Sequence, residues 1–352
     1  MLDENPPSTP KRRGPRGVGR PIQIQERDLA ILYSLSVGRY LTALAIEWLH
    51  YPGWRERYKA YLERQKIDDS LIYRPLNHVY RRLVALRTGD APLVYRLTRT
   101  NERARLAYAR LADAYVLAEA GAELLCAQQQ GYELSDLWYE DPRKRSIKNF
   151  EHSVAIGTFY AALRASLEFA HQQLTDWRGD HLLARRDIGQ AGPSYDRVRV
   201  SWVGKEHRLK TEDVAILPDA TFSLKDGRYF LEIDQGTTNL ESWAEKVRAY
   251  EAYRQNPKLQ ARYATDDFTV LVIAPSETRL KRIAEEVIKI TKQPGTAYLF
   301  TTADKIHPVR IRANWRALAS VEWTVRKVVD RLVEFPDRLG FTSSMLWNNS
   351  SL

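Results

Sequence analysis

Three carboxylates within one β-hairpin constrain this chain more than any other feature. Val214-Ala-Ile-Leu-Pro-Asp-Ala-Thr-Phe-Ser-Leu and Tyr229-Phe-Leu-Glu-Ile-Asp-Gln-Gly-Thr are runs rich in β-branched and aromatic residues, joined by Lys225-Asp-Gly-Arg. An Asp-Gly pair between such runs predicts an antiparallel hairpin. Asp219 stands in the first run, and Glu232 and Asp234 stand near the end of the second. Strand alternation puts Glu232 and Asp234 on one side, and the pairing can bring Asp219 beside them. Strand interiors disfavour Asp and Glu, and crowded like charges repel unless a cation neutralises them. Oxygen ligands at this density suit Mg²⁺ or Mn²⁺. Taken singly, Asp219 reads as a turn cap and the other two as solvent-facing residues on an edge strand. Taken together, they predict a site.

Downstream, Glu241-Ser-Trp-Ala-Glu-Lys-Val-Arg-Ala-Tyr-Glu-Ala-Tyr predicts a helix with Lys246, Tyr250 and Tyr253 on one face. Trp243, Val247 and Tyr250 form an overlapping apolar stripe. Lys246 therefore either joins the acids or snorkels to the surface.

Pro218-Asp219 followed by Glu232 across a hairpin resembles the PD-(D/E)xK nuclease superfamily, whose core is a helix, a three-stranded meander, a helix and a further strand. Leu217-Pro-Asp-Ala, Phe230-Leu-Glu-Ile-Asp-Gln-Gly-Thr and Lys246-x-x-x-Tyr250 more closely resemble the replication-relaxation family of plasmid and mobile-element proteins, over most of the chain. The superfamily places a Lys two residues after the Glu, where this chain has Asp234. Several superfamily members carry that Lys on the next helix, which makes Lys246 the natural candidate. The resemblance implies Asp219, Glu232, Asp234 and Lys246 as catalytic residues, the three acids holding Mg²⁺ or Mn²⁺. It also implies an accessory residue from the first core helix, Glu151 or His152, with His152 singled out, and Tyr250 beside Lys246.

At 352 residues the chain is long enough for two domains. The expected fold is α+β or α/β: an N-terminal winged helix-turn-helix followed by a restriction-endonuclease-like mixed sheet flanked by helices. Residues 1–21, rich in Pro, Arg and Gly, read as a disordered basic arm. Residues 22–130 read as the winged helix, with an insertion near 51–74, and 131–146 as a linker. The nuclease-like domain is expected over 147–335, with a helix over 314–333, and a tail over 336–352. Thr42 is the expected cap of the second helix.

The third helix, from Leu76, presents Asn77, His78, Tyr80, Arg81, Arg82 and Arg87 opposite the apolar Val79, Leu83 and Leu86. Asn and Arg suit bidentate contacts with adenine and guanine in the major groove. Arg99 and Arg103 lie in a basic segment expected to track phosphates as a wing. The balance of 54 Lys and Arg against 44 Asp and Glu favours a polyanionic partner.

The single Cys126 excludes an internal disulfide framework and fits a reducing compartment. No His-x-His, Walker loop, His-Glu-x-x-His or Gly-x-Ser-x-Gly stands in the chain. Two-histidine relaxase chemistry, ATP use and ordinary hydrolase chemistry are accordingly not expected. No apolar run reaches bilayer length, so no membrane partner is expected and the location reads as cytoplasmic.

The resulting expectation is a DNA-binding protein of a plasmid or mobile element with a metal-dependent phosphodiester-hydrolysing domain, acting in replication, relaxation or transfer. Its alternatives are a catalytically impaired nuclease-fold adaptor that recruits other replication or transfer proteins, and a transcriptional regulator. DNA is the expected partner, and a homodimer is left open.

Overall fold

The computed structural model describes residues 22–67, 73–97, 113–128, 132–140, 150–184, 195–203, 206–225, 227–291, 295–311, 316–318 and 332–334. The basic arm over 1–21, Arg99, Arg103 and the tail over 336–352 lie outside the described residues.

The first part of the chain runs α1 (Glu26–Gly38), β1 (Leu41–Thr42), α2 (Ala43–His50), α3 (Trp54–Gln65), α4 (Asn77–Arg87), β2 (Val94–Leu97), β3 (Ala114–Leu117) and α5 (Glu119–Gln128). The strands form an antiparallel sheet in the order β1-β3-β2. Thr42 caps α2 as expected, its hydroxyl accepting from the Ala45 N–H at 3.1 Å. The segment near 51–74, expected as an insertion, contains α3, whose Trp54 and Tyr58 are buried. Aromatic residues four apart on a charged helix suffice to commit one face to the core.

The second part comprises α6 (Phe150–Phe169), β4 (Thr175–Gly179), α7 (Asp180–Leu183), β5 (Arg197–Val203), β6 (Leu209–Ala215), β7 (Ala220–Leu224) and β8 (Gly227–Ile233). It continues with α8 (Leu240–Arg254), α9 (Pro257–Tyr263), β9 (Thr269–Ala274), α10 (Glu277–Ile290), β10 (Gly295–Thr302), β11 (Arg316–Leu318) and β12 (Leu332–Glu334). A seven-stranded sheet runs β12-β11-β10-β9-β8-β7-β4, with β8, β9 and β10 mutually parallel and the outer pairs antiparallel. The protein is mixed α+β.

Two expectations change here. The first run of the hairpin is not one strand: Val214 and Ala215 end β6, and the chain re-enters the sheet only at Ala220. Pro218, which lacks an N–H to give to a ladder, stands at that break. The helix expected over 314–333 is also corrected, because Arg316–Leu318 and Leu332–Glu334 are strands extending the sheet edge. An open edge offers each short segment a ladder of backbone partners that its own sequence does not advertise.

α6, expected to open the nuclease-like domain, is buried all round from Ser153 to Leu163. On one side its Phe159 packs on Phe222 of the large sheet, with ring centroids 6.0 Å apart. On the other, a Cβ at Gly157 would stand 2.1 Å from the Tyr40 carbonyl oxygen, so only glycine allows α6 to approach the turn between α1 and β1. One apolar cluster thus contains Leu35 and Ile46 from the first helices, Ile156 from α6, and Leu231 and Ile273 from the sheet. The described part of the expected linker is docked as well: Leu137 and Glu140 are buried, and the Glu140 carboxylate accepts from the Tyr40 hydroxyl at 2.5 Å.

The His307 ring is inserted from the far end of the chain, stacked on Tyr58 at 3.9 Å and edge-on to Trp48 at 5.1 Å. Burial pushes His307, and also His50 beside Ser34, down from 6.5 to about 3. Both are therefore neutral in the folded state, and their contribution is present above about pH 6.5 and is lost as pH falls toward 3. Each adds a slope of up to about 1.4 kcal/mol per pH unit in that window. Urea titrations between pH 7 and 4 should show stability falling toward acid, more shallowly in His307→Phe.

Candidate active site

Ala220 pairs with Leu231 across the hairpin, and the next step of that register sets Asp219 against Glu232. Both lie at the end of the sheet where the parallel strand β8 gives way to α8, the kind of crevice in which open α/β sheets place their ligands. The Asp219 N–H donates to the Leu231 carbonyl at 2.9 Å, fixing the approach. Asp219 Oδ2 accepts from the Ile233 N–H at 2.6 Å, and Oδ1 lies 2.8 Å from His152 Nε2 on α6.

Glu232 is 1% exposed, with the Asp219 charge among its neighbours. α8 supplies two partners one turn apart: Lys246 Nζ donates to Oε2 at 2.5 Å, and the Tyr250 hydroxyl donates to Oε1. The expectation that Lys246 and Tyr250 share a face is met by these contacts. Tyr253, from the same face, instead donates to Asp196 at 2.5 Å.

The electrostatics are those of a compensated cluster. Burial raises the Glu232 carboxyl above its ordinary value against the opposing pull of Lys246. Burial alone would lower Lys246, but Glu232 and Asp219 outweigh it and hold the ammonium above its ordinary value. His152 follows the same pattern: burial pulls it down, while Asp219, with Asp180 and Glu232 further off, leaves it raised. Burial and the Glu232 charge push the Tyr250 hydroxyl well up, so it acts as a donor.

The third acid does not join them. Asp234 accepts a fork from Arg279, Nε to Oδ2 at 2.7 Å and Nη2 to Oδ1 at 3.0 Å, together with the Gly236 N–H at 2.9 Å. A bidentate guanidinium thus neutralises the carboxylate expected as a third catalytic residue and metal ligand. Among the described residues, no group of three or more His, Cys, Asp or Glu is placed to hold a metal ion. Glu151, next to His152, is half-buried and set roughly 100° around the helix from it.

Two neighbours were not anticipated. The Asp180 N–H donates to the Asp219 carbonyl at 2.8 Å, and Arg39 lies 3.7 Å from the Asp180 carboxylate. Arg279 could have been suspected from its position in the first turn of the helix that follows a central parallel strand.

On α4, Asn77, His78, Tyr80, Arg81 and Arg87 are exposed, while Val79, Leu83 and Leu86 are buried. Arg82 departs from the expected role. Its Nε donates at 2.6 Å to Asp28, a fully buried carboxylate at the start of α1, and its Nη2 reaches the Gln23 carbonyl at 2.7 Å. Its side chain braces α4 against α1 and is not presented with the others. Among the described residues, no helix is long and apolar enough to cross a membrane.

The family model described as Replication-relaxation matches residues 57–269, more than half of the chain. The chain belongs to the replication-relaxation family. That family suggests a role in the replication or relaxation of plasmids or mobile elements. The matched span contains His152, Asp219, Glu232, Lys246 and Tyr250 and all of α4, but neither Arg279 nor Asp28. Comparison with curated proteins and with solved structures finds no match.

Proposed function

We propose that this replication-relaxation protein binds DNA through a winged helix and cleaves a phosphodiester bond at the His152, Asp219, Glu232, Lys246 and Tyr250 cluster. The observation that carries the reading is the convergence of Asp219, Glu232 and the helix-borne Lys246 at one end of the sheet. The antiparallel β4-β7-β8 part of the sheet, followed by α8 and the parallel β9 and preceded by α6, supports a reading as a PD-(D/E)xK core. The order α1, β1, α2, α4, β2, β3 with an antiparallel β1-β3-β2 sheet supports the winged helix.

The donor set fits a divalent cation even without Asp234. Mg²⁺ is commonly held by one or two carboxylates, with waters and substrate phosphate completing the shell. Each oxygen of Asp219 and Glu232 accepts a described hydrogen bond, and a carboxylate oxygen has a second lone pair to offer. Asp219 and Glu232 would hold Mg²⁺ or Mn²⁺, which when bound lowers the pKa of an attacking water and offsets charge on the phosphorus oxygens. The rest is done by the chain. Tyr250 and Lys246 fix the Glu232 carboxylate, and the Lys246 ammonium can face a phosphate oxygen as negative charge builds. His152 holds its proton at Nε2 against Asp219 and so orients that side chain.

Supercoiled plasmid incubated with the protein and Mg²⁺ or Mn²⁺ is expected to convert to open-circular or linear form. Asp219→Ala and Glu232→Ala should each slow this by on the order of 10²-fold or more. The second reading, a nuclease-like module that only binds DNA and recruits partners, draws support from the Arg279 fork on Asp234. No conversion under any metal condition, with DNA binding retained, would establish that reading instead.

A further inference from the structure

β5 and β6 stand apart from the large sheet as a two-stranded antiparallel ribbon of seven paired positions, from Arg197 opposite Ala215 to Val203 opposite Leu209. At about 3.4 Å per residue it is roughly 24 Å long. Alternation divides β5 into two faces, while β6 is exposed from Leu209 to Asp213. Val198 and Val200 turn to the inner face and are buried in the cluster that includes Val247 and Tyr250 of α8, and Arg248 of α8 lies over the Trp202 ring at 5.3 Å. The outer face carries Arg197, Arg199, Ser201 and Val203, all exposed, opposite Asp213, Thr211 and Leu209. Ser201 and Thr211 share a hydrogen bond of 2.9 Å, which stiffens the middle of that face.

The last paired position of the ribbon, ahead of the polar residues 204–208, is apolar. Val203 and Leu209 are directly opposed and are 66% and 72% exposed. Arg208 and Lys210, both exposed, flank Leu209. Among the described residues this aliphatic pair is left largely bare, and an exposed apolar pair invites a partner. Two features of the site say which partner. β6 leads to Asp219 in four residues, and β5 rests on the helix that carries Lys246 and Tyr250, so a ligand at the acids continues onto the ribbon. A two-stranded ribbon is also one of the two elements that the major groove of B-DNA admits.

We propose that the outer face of the β5–β6 ribbon is a second DNA contact, separate from α4. Arg199, exchanging its exposed 3.4 Å pair with Asp213, and Arg208 in the adjoining turn lie along phosphates, and the Val203–Leu209 pair presses against the base stack of a duplex held at the site. This rests on the DNA-binding reading above. It adds a wedge of the kind with which apolar side chains unstack a base step.

The test uses the full chain, a fluorescein-labelled duplex followed by anisotropy over a salt series, and the same duplex carrying 2-aminopurine. The double variant Arg199→Glu/Arg208→Glu is expected to bind about tenfold more weakly near 100 mM salt, with the log–log salt slope reduced by about two. Val203→Ser/Leu209→Ser should keep that slope and lose the rise in 2-aminopurine fluorescence that the unaltered protein produces. Both pairs are exposed, and circular dichroism checks that each variant is folded. If the unaltered chain binds DNA and both variants match it in affinity, slope and fluorescence, the ribbon proposal fails and the DNA-binding reading stands. If the serine variant changes only self-association in sedimentation, the ribbon is a protein interface and the proposal fails. If the unaltered chain binds no DNA, both fail together.

Discussion

Lys246→Met is expected to slow metal-dependent nicking by on the order of 10²-fold or more and to destabilise the fold by about 1–3 kcal/mol. The two effects have one origin. Glu232 is 1% exposed and faces the ammonium, so removing that cation leaves a buried carboxylate without the charge that offsets its desolvation. Breaking a fully buried pair costs about 3–5 kcal/mol. The smaller figure applies here because the Lys246 side chain is 41% exposed, so water already screens the pair and can fill the vacated space. Burial has raised the Glu232 carboxyl already, and without Lys246 it should rise further and take up a proton.

Glu232→Gln/Lys246→Met separates stability from chemistry. A neutral amide at 232 can still accept from the Tyr250 hydroxyl, so the double variant should recover much of the lost stability in urea denaturation. It should recover none of the nicking. Nicking by Lys246→Met at the unaltered rate would leave the lysine a structural role only.

The second large effect distinguishes two adjacent arginines. Arg82→Ala is expected to destabilise the protein by about 2–4 kcal/mol, whereas Arg81→Ala should stay within about 0.5 kcal/mol. Asp28 is fully buried and is met by a fork from Arg82, so truncation strands a carboxylate in the core. Arg81 is exposed on the outer face of α4. Affinity for DNA should reverse the order once Arg82→Ala is measured at a temperature where it is folded: Arg81→Ala weakens binding and lowers the salt slope by about one. Thermal denaturation and anisotropy on the same preparations test both halves.

Those two arginines also illustrate what the residues alone could reveal. Their spacing put Arg81 and Arg82 together opposite Val79, Leu83 and Leu86, and helical geometry bears that out to within one position. Which of the two meets a buried acid depends on Asp28, 54 residues away, and no local pattern reports a contact of that range. The site shows the same division. Period-two alternation and the Asp-Gly turn located Asp219 and Glu232, and period 3.6 found Lys246 and Tyr250 on a common face, because each inference used neighbours in the chain. Asp234 carries the same local signal as Glu232, and only the fold brings Arg279 onto it. α6 misled for a different reason: its Ser, Ala and Gly residues lower the contrast between its faces, and those small residues are what let it be covered on every side.

The placement of α6 bears on how the molecule can be divided. Cutting at 131–146, where polarity suggests a tether, would leave α6 on the sheet but bare its outer side around Gly157 on one fragment, and leave Leu35 and Ile46 bare on the other. Fragments prepared to assign separate tasks to the two halves would therefore expose faces that the shared cluster buries. The same shared layer also holds Val79, Leu83 and Leu86 of α4, so the helix and the sheet that carries the acids are packed into one cluster.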